Sequence, residues 1–351
     1  MRKCSTVSFK NQVIYCGIDV HKQSWHVSIR HCRQQMETFN MNPDAGELVR
    51  HLKRNYPEAE YRSVYEAGFS GFEAHRELCR MGVMNIVINP ADVPTSGKER
   101  EYKNDRTDSR KLARELENGS LEGIYIPEPE NLELRSLTRR ETQLTGNIVR
   151  IKNRIRSHLF FLGLKFRSWS GCSLKIMESD AVKRHDYALQ SNLRELRFLR
   201  EERIRVIRSE RECLKRLNRE KVQENLQSIP GIGFRTAVVL QAELWELSRF
   251  PGKDSLCSYV GLAPHTVGSG EHEEIKFGGN RKKKQLHYLL IESAWRAVRF
   301  NLEYRARYGA MLAKGACPQR AISIIAKKLL FSIRAVWLQN RKFVELLPRT
   351  K

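Results

Sequence analysis

Residues 12–20, QVIYCGIDV, are almost continuously apolar, as a strand buried on both faces requires. Residues 24–30, SWHVSIR, alternate apolar and polar positions, which predicts a half-buried strand, and a third short strand is predicted near 35–40. Asn42-Pro43-Asp44 is a helix-start signal, and 45–55 carries apolar residues at helical spacing. A strand at 61–66 (YRSVYE), a helix at 71–81 and a strand at 83–88 (VMNIVI) follow, and Asn89-Pro90 ends that strand. Residues 91–102 read as a polar loop and about 105–117 as a helix.

The predicted order of the first third is β-β-β-α-β-α-β-α. This is the ribonuclease H-like order, a mixed sheet with acidic residues at strand ends, although several α/β folds begin in the same way. From 128 to 165 the pattern becomes helical and strongly basic, and a second long charged helical stretch covers 188–223. The segment 166–187 between them reads as irregular. The pair predicts a helical hairpin or coiled-coil arm, with two ordinary solvated helices as the alternative. The remainder is mainly helical. It opens with LQSIPGIGFRTAVVLQAEL, has a turn-rich patch at 264–281, and continues as helices over 282–300 and 318–339. The chain is thus expected to comprise an α/β domain at 1–127, a basic helical arm at 128–224 and a mainly α domain at 225–351.

Composition adds a partner. The 351 residues carry a formal net charge of +23, which a soluble protein commonly balances against nucleic acid. Hydrophobic residues at 40% are enough for packed cores and exclude wholesale disorder. No apolar stretch approaches the ~18 residues of a membrane span, and the first residues lack the pattern of a secretory signal. The 8 cysteines form no C-x-x-C pair, which argues against a zinc ribbon or a disulfide framework and fits a cytoplasmic protein.

Four carboxylates are candidates for chemistry. Asp19 ends the first strand and Glu66 the fourth. Asp105 and Asp108, at i and i+3 in NDRTDSRKLARE, share one helix face. Hard oxygen donors of this kind suit Mg2+ or Mn2+, and a pair of such ions serves phosphoryl transfer. Taken singly, Asp105 reads equally as a helix cap, Asp108 as a solvated first-turn acid and Glu66 as a surface residue. The glycines of the PGIG turn, Gly231 and Gly233, predict a helix-hairpin-helix-like element whose amides can hold a phosphate, or else a plain helical turn. Arg150, Lys152, Arg154 and Arg156 are the candidate phosphate contacts of the arm. Ser269, between two glycines and followed by Arg281 and Lys282, is either part of a flexible turn or a nucleophile beside cations that could hold a scissile phosphate.

Over nearly its whole length the chain resembles the transposases of the IS110 family of insertion sequences. The segments that carry the resemblance are YCGIDVHKQSWHVSI, VYEAGFSGFEAHREL, VINPADVP, KNDRTDSRKLAREL, IPGIGFRTAVVL, YVGLAPHTVGSGE and the terminal AKKLL. The resemblance implies a RuvC-like domain with a DEDD tetrad, here Asp19, Glu66, Asp105 and Asp108. It also implies a C-terminal domain that supplies a serine nucleophile, here Ser269, and forms a transient phosphoserine link to DNA. A structured noncoding RNA that selects donor and target sites is implied as a further partner. The family often places Lys-Thr-Asp at the third acid, where this chain has Lys103-Asn104-Asp105.

The expected function is therefore metal-dependent DNA strand cleavage and exchange by a homodimer or homotetramer, since two duplexes must be brought together. Two readings compete with it. One is a Holliday-junction-type resolvase or nuclease that uses the acids and metal-activated water alone. The other is a non-catalytic nucleic-acid-binding protein, which would leave the placed acids without a purpose.

Overall fold

The computed structural model describes residues 8–94, 105–267, 274–277 and 283–344, without the side chains of 105–106, 265–267 and 274–277. The chain divides into two compact units, Met1–Pro127 and Glu128–Lys351.

The first unit is built on a mixed sheet of β1 (Val13–Val20), β2 (Trp25–His31), β3 (Gln34–Met41), β4 (Glu60–Glu66) and β5 (Met84–Ile88). The order is β3-β2-β1-β4-β5. β1 pairs antiparallel with β2 and parallel with β4, and β4 runs parallel to β5. Helices α1 (Ala45–Asn55), α2 (Glu73–Arg80) and α3 (Asp105–Glu117) complete it. Ile14, Cys16 and Ile18 of β1 are fully buried and share a core with Leu48 and Leu52 of α1 and Leu78 of α2. Asp44 caps α1 by accepting from the Glu47 amide at 3.0 Å, so the Asn-Pro-Asp signal acts where the sequence placed it.

The other face of β1 meets α3 at Gly17. A Cβ there would lie 2.1 Å from the Ser109 carbonyl oxygen and 2.4 Å from the Ala113 nitrogen. Helix and strand backbones touch because position 17 has no side chain. Two hydrogen bonds fix the helix lengthwise. The Ser28 and Ser109 hydroxyls meet at 2.9 Å, and Arg30 Nε donates to Glu117 at 2.8 Å. Ser28 pairs with Gly17 and Arg30 with Tyr15, so α3 runs antiparallel to β1 and its first turn lies towards the strand's C-terminal end.

The second unit is helical: α4 (Pro129–Phe161), α5 (Gly171–Lys183), α6 (Tyr187–Arg216), α7 (Glu220–Gln227), α8 (Phe234–Leu244), α9 (Lys253–Val260), α10 (Lys284–Phe300), α11 (Leu302–Ala313) and α12 (Pro318–Leu338). A short antiparallel pair, β6 (Pro264–Val267) and β7 (Glu274–Phe277), lies between α9 and α10. Leu144, Ile148, Ile151, Ile155 and Leu159 of α4 form a near-heptad seam against Leu189, Leu193 and Leu196 of α6. No helix among the described residues is long and apolar enough to cross a membrane.

Several features differ from the sequence expectation. The segment expected to be irregular holds α5, capped by the Ser170 hydroxyl on the Ser173 amide and anchored by Met177 and Ala181. The helix α11 and the β6–β7 pair were not predicted. Tyr304 is the one fully buried residue of α11, so it presents no apolar stripe to read. Within the second unit the helical pair is joined to the helices that follow it. The first turns of α4 satisfy the C-terminal carbonyls of α8. Asn131 Nδ2 donates to Ala242 O at 2.6 Å, and Arg135 donates to Ala242 O at 2.9 Å and Glu243 O at 3.1 Å. These are the carbonyls a helix leaves unpaired at its end.

Beyond Arg135 the interior remains polar. Glu141, 1% exposed, takes Arg203 Nε at 2.7 Å and Arg235 Nε at 2.6 Å. Glu210, 2% exposed, is pushed up to about 7 by burial first and by Glu141 second, against the opposing pull of Arg235 and Arg203.

Gly17→Ala should lower stability by about 3 kcal/mol, since backbone must move to admit the methyl group. Gly146→Ala, with nothing within 4 Å of its new Cβ inside α4, should raise it by about 0.5–1 kcal/mol. Urea denaturation of the two variants checks both signs. For Glu210 the folded state holds its proton above the ordinary value of 4.5. The resulting stabilisation is complete below that value and is lost as pH rises through about 7. The denaturation midpoint should fall between about pH 5 and 8, and Glu210→Gln should flatten the fall. An equal fall in the variant would assign the titration to another group.

Candidate active site

The acids are placed by the sheet. In the parallel β1–β4 ladder Gly17 lies opposite Val64 and Ile18 opposite Tyr65, which brings Asp19 and Glu66 level at the C-terminal strand ends. Side chains alternate along a strand, so Asp19 projects to the same face as Gly17, the face α3 covers. Glu66 follows the same rule from Val64, which packs against Leu112 of α3. On the helix, Asp108 precedes Leu112 by four residues and Asp105 precedes Ser109 by four. Both therefore begin the face of α3 that lies on the sheet. The side chain of Asp105 lies outside the described residues.

Asp19 is partly shielded, with 24% of its side chain exposed, and its Oδ2 lies 3.2 Å from His21 Nε2. Asp108 is half-buried and Glu66 exposed. Register and helix phase thus gather Asp19, Glu66 and Asp108 at one edge of the sheet. Among the described residues no three His, Cys, Asp or Glu side chains close into a metal-holding group. The donor chemistry fits a hard divalent cation, because every candidate ligand is a carboxylate oxygen. Sequence reasoning passed over two neighbours. His21 lies just past the end of β1, and its ring reaches back to the Asp19 carboxylate. Lys22 places its Nζ 5.9 Å from the centroid of Phe69, bringing the β1–β2 turn beside the segment that follows Glu66.

The other candidates separate into distinct environments. Ser269, Arg281 and Lys282 lie outside the described residues. The strands on either side of Ser269 pair in antiparallel register, Val267 opposite Glu274. Gly231, at φ +86°, is taken up by packing. A Cβ there would lie 2.2 Å from Ser293 O and 2.9 Å from Ala297 N, so the PGIG turn lies on the backbone of α10. The close backbone approach expected of these glycines is thus made by Gly231 against α10. Gly233 caps α8 and has the Arg296 guanidinium 4.0 Å from its Cβ position.

The four arm cations do not form one stripe. Arg150 and Arg154, one turn apart, are both exposed, and Arg154 pairs with Glu195 at 3.6 Å. Lys152 and Arg156 lie over aromatic rings, Lys152 at 5.3 Å from Trp169 and Arg156 at 5.1 Å from Phe166. Burial and then the neighbouring Arg200, Arg156 and Arg203 hold the Lys152 ammonium below its ordinary range. Arg150, Arg154 and Arg156 are exposed, whereas Lys152 is half-buried.

Two family models match the chain, one largely in each unit. A DEDD transposase family model of the IS110 type matches residues 16–162, a span that contains all four acids. A second, described as the transposase IS116/IS110/IS902 family, matches 223–309, which contains the PGIG turn and Ser269. A putative transposase, y4rJ, of Sinorhizobium fredii is 27% identical over 66% of this chain and 64% of its own length. The transposase for insertion sequence element IS1111A of Coxiella burnetii is 27% identical over the same shares, 66% and 64%. The aligned stretch thus spans just under two thirds of each of these relatives. The pilin gene-inverting protein of Moraxella bovis is 25% identical over 94% of this chain and 97% of its own. With both family models met in order, and with relatives of the same kind along most of its length, the chain belongs to the IS110 family of insertion-sequence transposases.

Proposed function

We propose that the protein cuts and rejoins DNA, using a metal-binding DEDD centre in a ribonuclease H-like, RuvC-like first unit and a serine nucleophile in the second. The observation that carries this reading is the gathering of Asp19 and Glu66 at neighbouring strand ends under the turn of α3 that bears Asp108. Carboxylates concentrated at one edge repel one another and are costly unless a cation joins them. Asp19, Glu66, Asp105 and Asp108 would hold Mg2+ or Mn2+, which supplies Lewis-acid stabilisation of phosphate charge and promotes loss of a proton from an attacking oxygen.

Ser269 Oγ is the attacking atom. Its bond to phosphorus forms as the bond to a sugar oxygen breaks, the hydroxyl proton leaves and the departing oxygen takes one up. The phosphodiester is conserved as a phosphoserine link. Attack on that link by the sugar hydroxyl of another strand then releases the serine and rejoins DNA without an external energy source. Arg281 and Lys282 supply positive charge to the scissile phosphate, and Arg150 and Arg154 to the DNA backbone. The relative named for pilin gene inversion, aligned over 94% of this chain, supports a role in DNA rearrangement. A noncoding guide RNA and a homodimer or homotetramer belong to the same proposal, since strand exchange joins two duplexes and the chain's charge of +23 suits either nucleic acid.

Asp108→Asn should lower strand cleavage by about a thousandfold or more, the loss expected when metal stabilisation fails, while leaving DNA affinity within about twofold. Ser269→Ala should abolish the covalent protein–DNA band trapped on a suicide substrate yet retain DNA binding. An adduct that persists in this variant would move the nucleophile elsewhere, and strand exchange without any adduct would favour the water-using nuclease. Affinity for DNA should fall steeply between about 50 and 200 mM salt, and charge reversal at Arg150 and Arg154 should make that dependence shallower. A flat salt response would assign the positive charge some other purpose.

A further inference from the structure

The outer face of α10 presents aromatic rings among cations. At 3.6 residues per turn, Lys284, Tyr288, Trp295 and Arg299 fall within an arc of about 60°. Tyr288 is 63% and Trp295 41% exposed, although the helix has a complete buried face of its own in Leu286, Leu290, Ala294 and Ala297. Core packing therefore does not account for the rings. Trp295 is held in place by Tyr308 of α11, edge to face at 5.5 Å. Along the helix axis the two rings stand about 10 Å apart, close to three stacking steps of about 3.4 Å.

We infer that this face is a stacking platform for unpaired nucleotides, on which bases lie against Trp295 and Tyr288 while Lys284 and Arg299 meet the phosphates. The proposal rests on the recombinase reading and adds to it a single-strand-binding surface built from residues other than the four acids and Ser269. The charge favours this occupant. Lys284, Arg296 and Arg299 outnumber the single exposed carboxylate of the helix, Glu292. A protein partner covering the same face would bury those cations without phosphates to pair them. An aromatic ring accepts any base, so the platform binds without reading sequence. Strand exchange needs such a surface, because each cut leaves unpaired bases that must be held until they pair again.

The test uses the full-length protein with two probes of equal length, an oligothymidylate and a chain of abasic sugar phosphates. Of the five tryptophans, Trp25 and Trp245 are buried and Trp169 and Trp337 partly so, which makes Trp295 the main emitter open to a base. Oligothymidylate should quench the intrinsic fluorescence and the abasic chain should not. Trp295→Ala should remove most of the quenching and weaken oligothymidylate binding about tenfold, the effect of losing one stacked base, with abasic binding unchanged. Trp295→Phe should restore most of the affinity without the quenching. Arg299→Gln should weaken both probes alike and lower the salt slope by about one. Equal affinity of wild type and Trp295→Ala for oligothymidylate would overturn the proposal. So would a Trp295→Ala variant that changes oligomeric state while keeping base-dependent binding, which would make the face a contact between copies of the chain. Strand exchange on duplex DNA, measured in parallel, separates this proposal from the reading it rests on. Exchange absent with base-dependent binding intact sinks the recombinase reading alone, and the reverse sinks the platform alone.

Discussion

A side chain at position 17 would collide with the backbone of α3, since the nearest atoms lie 2.1 and 2.4 Å from where its Cβ would stand. That contact sets the distance between helix and sheet throughout the first unit. The Ser28–Ser109 and Arg30–Glu117 hydrogen bonds set the helix lengthwise, and the parallel register of β1 with β4 sets the strand ends. With those parameters fixed, the first turns of α3, which carry Asp108, lie towards the C-terminal ends of the strands that carry Asp19 and Glu66. Backbone packing thus places the strand ends and the helix turn that carry the acids of the proposed site.

The second unit repeats the device and adds another. Gly231 lets the PGIG turn lie on α10 as Gly17 lets α3 lie on β1, and in both places the backbones approach more closely than any side chain permits. The joint between α4 and the last helices is polar. Asn131 and Arg135 close the carbonyl end of α8, and Glu141 joins α4 to Arg203 of α6 and Arg235 of α8. Buried ion pairs add little net stability compared with apolar packing, but removing one partner strands the other, so they fix which helix meets which. The apolar seam of α4 and α6 lacks that discrimination, because leucine and isoleucine accept many registers.

Much of the first unit was legible because its signals are local. An apolar run ending in Asp19, a capping triplet at Asp44 and an i, i+3 pair of acids each act within a few residues. Gly17 was not legible, because a glycine in a strand reads as weakness until the partner backbone is known. Gly231 was legible as a turn glycine that allows close approach, but not the backbone it approaches, since φ is a local property and α10 lies some sixty residues further along the chain. The helix α11 escaped because one buried residue makes no stripe, and α5 because its serines imitate a loop while acting as a cap. The arm's cations were visible as a cluster, but the stacking of Lys152 and Arg156 on Trp169 and Phe166 depends on how the segment after α4 folds back.

The central claim is that Asp19, Glu66 and Asp108, with Asp105, form one divalent-cation site. Anomalous diffraction from crystals grown with Mn2+ tests it without recourse to activity. The account predicts an anomalous peak at the C-terminal ends of β1 and β4, with carboxylate oxygens of these residues about 2.0–2.6 Å away. A metal peak ligated elsewhere, with Asp19 and Glu66 turned to solvent, would contradict it.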